Sequence, residues 1–350
     1  MRCFRITSLA PLYCVLASAT CMAQPDPIDA ATASGVAFLV SKQDKRGAIR
    51  ETDSNETAMT ALSAIALAAT GNLPSDSTPA GEAVRKSIEF ILGPNRQDRE
   101  GYFGAKDGSR MYGHGITTLF LAEMLGMSPS AEEDAAVRRA CERAVELILR
   151  SQRVKKQPGH EGGWRYSPQA ADSDLSVTIW QLMALRAAKN AGVEVPKDAI
   201  DAAVGYIKRS FRESTRAGGP VGFSYEISRE PVWSTAAEGL LALQVCGEYE
   251  AKEVLATAQW LLKNPPLANR AWFFYGTYYY AQGMYQRGGE CAESSAKSVA
   301  EALLPLQSVD GSWQGVPGQE GSGNSQRVYR TAMALLSLSV KFHYLPIYQR

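Results

Sequence analysis

One plan recurs along this chain and constrains its fold more than any other feature. An amphipathic helix leads to a loop carrying Gly and an aromatic residue, and a second, more apolar helix then opens near a threonine. The last copy shows it most clearly: Ser295 to Leu306 has helical patterning, Asp310-Gly311-Ser312-Trp313 is the loop, and Tyr329-Arg330-Thr331-Ala332 opens the second helix. In the third copy, Val137, Cys141, Val145 and Ile148 lie on one face of a helix from Ala135 to Arg150. Gly162-Gly163-Trp164-Arg165-Tyr166 is the loop there, and Ser176 to Leu185 the second helix. Other copies drift. Gly47-Ala48-Ile49 precedes Thr57 to Leu67, Gly101-Tyr102-Phe103-Gly104 precedes His114 to Leu125, and Gly222-Phe223-Ser224-Tyr225 precedes Trp233 to Leu243. Trp272-Phe273-Phe274 runs directly into Tyr278-Tyr279-Tyr280. The threonines Thr60, Thr118, Thr178, Thr235, Thr277 and Thr331 recur roughly every 40–60 residues, as in helical-pair repeats.

The two helices of a pair want different surroundings. A first helix with one apolar stripe and a charged back (Arg138, Arg139, Glu142, Arg143) belongs on an outer ring facing water. A second helix rich in Ala, Leu and Met on nearly all sides belongs inside, where Ala58, Ala61, Ala64 and Ala68 allow close approach. Gly71, Gly126, Gly192 and Gly247 follow the first four second helices, where a left-handed cap is wanted. Strand-like alternation is scarce. Neither end reads as the polar cap of an open solenoid. The expectation is therefore an all-α fold, an α/α toroid of six helix-pair repeats with inner and outer rings, occupying residues 24–350 as one domain.

Lys+Arg (37) and Asp+Glu (36) nearly cancel over the 350 residues, which gives no electrostatic case for nucleic acid or an anionic membrane surface. The leader differs from the rest. Met1-Arg2-Cys3-Phe4-Arg5 is a basic start, Ile6 to Ala19 an apolar run, and Cys21-Met22-Ala23 ends in small residues. This pattern predicts a signal peptide over residues 1–23 and export to the periplasm or the outside. Ser18-Ala19-Thr20 lacks the Leu that a lipoprotein signal ending at Cys21 would carry. No later stretch is long and apolar enough for a membrane span. Cys141, Cys246 and Cys291 are widely spaced and odd in number, neither a disulfide framework nor a metal pattern.

Gln307-Ser308-Val309-Asp310-Gly311-Ser312-Trp313, followed by the Tyr-Arg-Thr-Ala helix, resembles the repeat of squalene cyclases and protein prenyltransferase β-subunits. The chain is more closely similar to exported bacterial proteins built from prenyltransferase and squalene-oxidase repeats. The matching segments are Met111-Tyr112-Gly113-His114-Gly115, Gly163-Trp164-Arg165-Tyr166 with Asp174-Leu175-Ser176-Val177-Thr178, and Tyr344-Leu345-Pro346-Ile347-Tyr348. The resemblance implies the toroid and supplies no reaction.

The chemistries such toroids host can be tested against the residues. Proton-initiated terpene cyclases use DxDD; Asp172-Ser173-Asp174-Leu175 lacks one carboxylate, and Asp174 is placed to cap a helix. No DDxxD run is present for Mg²⁺. No mature cysteine follows an Asp at prenyltransferase spacing, and only His114, His160 and His343 are available to ligate zinc. Cys246-Gly247-Glu248-Tyr249 copies a thioester motif except for the Gln whose carbonyl forms half the bond. No cofactor is called for.

Glycan lyases and hydrolases need paired carboxylates, or a base beside an Arg, across an aromatic groove. His114, Asp172, Asp174, Arg165 and Arg330 are the catalytic candidates, with Tyr112, Trp164, Tyr166, Tyr225, Trp233, Trp272, Tyr278 and Tyr329 as ligand-binding candidates. The alternative for most of these aromatics is to plug the ring. His114, between two glycines at a helix start, could face the central cavity as a neutral imidazole or bond locally. Two functional readings stay open. One is a non-catalytic binding or scaffold module with a central aromatic-lined cavity for an isoprenoid, a glycan or a protein partner. The other is an enzyme, either terpenoid-cyclase-like or a glycan lyase or hydrolase.

Overall fold

A computed structural model describes residues 26–216, 218–316, 326–342 and 344–346; the leader read as a signal peptide lies outside them, as do His343, Ile347 and Tyr348. Six helices form the outer layer: α1 (Pro27–Ser41), α3 (Pro79–Leu92), α5 (Ala131–Gln152), α7 (Lys197–Ser210), α9 (Lys252–Leu262) and α11 (Gly289–Leu303). Six form the inner layer: α2 (Glu56–Ala69), α4 (Arg110–Glu123), α6 (Leu175–Asn190), α8 (Trp233–Val245), α10 (Phe273–Arg287) and α12 (Arg327–Leu338). Each inner helix packs on the next, and α12 packs back on α2, so the inner ring is closed. The first helix completes the sixth pair by packing on the last, α1 against α12. The molecule is an α/α toroid.

Burial follows the difference seen in the sequence. Every residue of α8 is buried, whereas α5 buries one stripe including Val137, Ala140, Cys141, Ala144, Val145 and Ile148 and turns its charges outward. The repeats are joined by a recurring side-chain clasp. Gln43 Nε2 donates to the carbonyl of Gly47 in its own loop (3.1 Å) and to Ala83 on the next outer helix (2.8 Å). Gln97 bridges Gly101 (3.1 Å) and Ala140 (2.9 Å), and Gln152 bridges Gly162 and Ala199 (2.9 Å each). Gln307 bridges Gly311 (3.1 Å) and Ala31 of α1 (2.8 Å), so the same contact that links neighbours also joins the last repeat to the first.

A second recurring bond ties each loop to its inner helix. The threonine hydroxyl accepts a loop amide in three pairs: Ile49 N to Thr60 (3.1 Å), Trp164 N to Thr178 (3.0 Å) and Trp313 N to Thr331 (3.1 Å). In the second repeat the expected anchor, Thr118, does not do this; its hydroxyl donates to the His114 carbonyl (2.7 Å). His114 takes the threonine's place. Its Nδ1 accepts the Phe103 amide (3.3 Å), and Nε2 lies 3.1 Å from the Ala144 carbonyl, which accepts its proton.

Two departures from the expected plan occur in the fourth and fifth repeats. Phe211–Glu213 and Val221–Phe223 form an antiparallel hairpin, β1 and β2, in register Phe211 to Phe223. No glutamine clasp is available there, and edge-on packing of the two phenylalanines (5.5 Å) holds the turn. The aromatic run expected as a loop is instead helix, since α10 starts at Phe273.

The clasp glycines are left-handed and pressed on the neighbouring helix. A Cβ at Gly311 (φ 85°) would lie 2.2 Å from the Ser34 carbonyl oxygen, whereas one at Gly126 (φ 80°) would meet nothing within 4 Å. Gly126→Ala should therefore cost about 1 kcal/mol, from backbone strain alone. Gly311→Ala should cost about 3 kcal/mol or more, because strain and clash add. Urea unfolding of the two variants measures the difference, and equal losses would contradict the clasp.

Candidate functional site

The loop between α5 and α6 folds back so that the Asp174 amide donates to the Trp164 carbonyl (2.9 Å), which sets Arg165 beside the start of α6. Asp174 caps that helix, its Oδ1 accepting the Val177 amide (2.8 Å). Arg165 Nε lies 3.4 Å from Asp174 Oδ2 and 3.6 Å from Asp172 Oδ2, while Nη1 donates to Glu226 Oε1 (3.0 Å). The guanidinium sits over the rings of Tyr166 (4.9 Å) and Tyr225 (5.6 Å), whose hydroxyls are hydrogen-bonded to each other. Asp174 is fully buried and Asp172 half-buried. Burial pushes the Asp174 carboxyl up to about 7, against the opposing pull of the Val177 amide and Arg165.

One helix further round, Glu238 is buried in the middle of α8, where it accepts the Ser176 hydroxyl at Oε2 (2.6 Å). Burial drives its carboxyl up to about 8, and the neighbouring Asp174 charge adds to this. Tyr112 also hydrogen-bonds Ser176, and its ring lies 5.9 Å from that of Tyr166. The ring interior thus holds two carboxyls raised by burial toward neutral pH, with Ser176 bonded to Glu238. Such pairs are typical of sites where acid–base chemistry is done.

Aromatic side chains fill the interior beside them. Trp180 stacks on Tyr278 (6.1 Å), meets Tyr279 edge-on (6.0 Å) and donates its indole N–H to the Tyr275 hydroxyl (3.2 Å). Trp180, Tyr278 and Tyr279 are at most 1% exposed. The open space lies to one side, at the loop ends of α2, α10 and α12, as a cavity of about 360 Å³. Its walls include Glu51, Asn55, Trp272, Tyr275, Tyr329 and Arg330. Tyr275 is the link, lining the cavity on one side and contacting the aromatic plug on the other.

The candidate residues therefore separate into three places. Arg165, Asp172, Asp174, Tyr166 and Tyr225 form one cluster, with Tyr112 adjoining. Trp272, Tyr329 and Arg330 line the cavity, where Arg330 Nε donates to the Trp313 carbonyl (3.0 Å). Trp164, Trp233, Tyr278 and His114 are core groups: the indoles of Trp164 and Trp233 donate to Ile148 (2.9 Å) and Asn264 (2.8 Å) carbonyls. His114 does not face a central cavity. It is fully buried, and burial lowers it to about 4, so the imidazole is neutral. The sequence reading missed Glu226, Ser176 and Asn55, of which only Glu226 was signalled, by following the aromatic loop directly. Among the described residues, no group of three or more His, Cys, Asp or Glu is arranged to hold a metal ion. Cys141, Cys246 and Cys291 are free thiols.

No protein-family model and no curated protein matches the sequence. Solved structures do match the fold. The apo type II terpene cyclase MstE from Scytonema superposes with a TM-score of 0.59 at 16% identity, covering 91% of this chain and 99% of that one. An inactive variant of an α-1,6-mannanase from Salegentibacter sp. HEL1_6, in complex with α-1,6-mannotriose, gives 0.64 at 10% identity, over 90% and 99%. Cellobiose 2-epimerase from Bacillus thermoamylovorans B4167 gives 0.61 at 12% identity, over 90% and 99%. At such identities the likeness establishes the toroid and leaves its chemistry open.

The buried acids make a test of pH dependence. The folded pKa of Glu238 lies above that of a free carboxyl, so the folded chain keeps a proton that the unfolded chain releases. Its favourable contribution is whole below about pH 4.5 and is lost as the pH rises to about 8. Glu238→Gln cannot ionise and still accepts the Ser176 hydroxyl. The variant should be more stable than the parent by on the order of 2–4 kcal/mol at pH 8.5 and equal to it near pH 4.5, by chemical denaturation.

Proposed function

We propose that this protein binds a small organic ligand in the cavity at the loop ends of α2, α10 and α12, and that binding rather than turnover is its activity. The observation that carries the reading is the separation of the cavity from the acids. The accessible space is lined by recognition groups, while Asp174 and Glu238 are at most 1% exposed behind packed aromatics. Glu51, the carboxylate in the cavity wall, is already engaged by Arg327 Nε (3.0 Å) and the Val328 amide (3.1 Å), which leaves it ill suited as a general base. The motifs shared with exported proteins of squalene-cyclase and prenyltransferase repeats support placing the chain in that group, with residues 24–350 as one exported domain. Mass spectrometry of the mature protein should find its N-terminus close to Gln24.

A second reading is favoured by one specific observation, the two carboxyls held up to about 7 and about 8 in the ring interior. An acid that keeps its proton near neutral pH can protonate a substrate.

Thermal-shift screening with a neutral glycan panel and an isoprenoid alcohol panel tests both. A ligand of the folded state raises the melting temperature. Ser54→Trp, which fills the cavity from an exposed position, should abolish the shift. Silence in both panels would overturn the binding reading. If a ligand is consumed, and Asp174→Asn stops turnover while binding persists, the catalytic reading replaces the first. Asn caps a helix as well as Asp, so that variant removes only the acid.

A further inference from the structure

Within the cavity reading, on which this inference rests, we infer that the ligand is a neutral saccharide, stacked on Trp272 and hydrogen-bonded by Asn55 and Gln326. Three observations carry it. The first is Trp272 itself, a large indole left 50% exposed at the cavity wall while Trp180, Tyr278 and Tyr279 of the ring interior are buried. It stands at the N-terminus of α10 with φ 58°, a left-handed backbone rarely adopted by a bulky residue and frequent at ligand sites. The Gly276 amide donates to its carbonyl (2.8 Å), so the strained backbone is held by the helix rather than by side-chain packing.

The second observation concerns Asn55, at the start of α2 and also left-handed (φ 58°). An Asn in that place usually caps its own helix. Here its side chain makes no capping bond, because Asp107 performs that task, its Oδ2 accepting the amides of Thr57 (3.0 Å) and Ala58 (3.3 Å). The Asn55 carboxamide is left at the cavity wall with no hydrogen bond among the described residues, and so is that of Gln326. Each presents two donors and an acceptor, the inventory that vicinal hydroxyls match.

The third is charge. Glu51 is neutralised by Arg327, and Arg330 is tied to the Trp313 carbonyl, so the described residues of the wall supply neither an open carboxylate for a cation nor a free guanidinium fork for an anion. An isoprenoid would cover the two amides with hydrocarbon and leave them unsatisfied, which is costly. A pyranose ring offers an apolar C–H face to the indole and hydroxyls to the amides.

Isothermal titration with cellobiose, α-1,6-mannotriose and chitobiose, set beside geranylgeraniol, tests the assignment. At least one saccharide should bind the wild-type protein. Trp272→Ala should weaken that binding by about tenfold or more, with Trp272→Phe recovering most of the loss and all variants melting alike. Asn55→Ala should weaken it as well. Saccharide affinity unchanged in Trp272→Ala would overturn the inference. Binding of geranylgeraniol alone would overturn it too, while leaving the cavity reading intact. If no probe binds, both fail together.

Discussion

The ring depends on a single carboxamide used four times. Glutamine is suited to the place because its side chain carries two N–H donors on one nitrogen, enough to satisfy a carbonyl of its own loop and one of the next outer helix at once. A lysine or arginine could reach the same carbonyls only by taking a charge into a half-buried seam. Each bond contributes about 1 kcal/mol, but the geometric effect is larger than that figure suggests. The clasp fixes the offset between successive helix pairs, and an offset repeated round the molecule decides whether the last pair meets the first. Gln307 on Ala31 is where it does. Where the glutamine is missing, after α7 and α9, the chain substitutes other devices: a short hairpin, and the Asn264 carbonyl accepting from the Trp233 indole.

Much of this could be read from the residues. Glycine-aromatic loops and recurring threonines announced the helix pairs, and Thr60, Thr178 and Thr331 do hold their loops. The position of His114 was legible too, though its spacing was not used: it follows Gly101 by the same interval that separates Thr60 from Gly47. Its residue type drew attention to catalysis, whereas its register makes it an anchor. Gln43 and Gln97, four residues before their glycines like Gln307, carried the clasp in plain sight. What no pattern could supply is the meeting of Ser176 with Glu238. Inner helices are apolar on nearly all sides, so periodicity does not say which face of α8 turns toward α6. The cavity was illegible for a similar reason, since it is built from the ends of three repeats distant in sequence.

The interior and the cavity represent two different solutions to holding polar groups in a helical ring. Inside, burial removes charge: Asp174 and Glu238 keep protons, Tyr112 and Tyr275 are held far from ionising, and His114 is neutral. At the loop ends, charge is retained and paired, Glu51 with Arg327 and Arg165 with Asp172 and Glu226. Tyr275 stands at the boundary. A change in the cavity that shifted this side chain would be felt by Trp180 through their shared hydrogen bond.

The pairing of α1 with α12 has a consequence for how the molecule comes into being. In an open array each repeat can settle on the one before it as it is made, but here the first helix lacks its main partner, α12, until the last has been synthesised. Lys341, which reaches Asp26 (2.9 Å) and Asp29 (2.7 Å) across the whole length of the chain, is one of the final contacts to form. Closure of this kind is slow, because the entropy of joining distant segments is lost before their contact energy is gained. The final lock of the ring therefore waits on the last helix, however early the other pairs have settled.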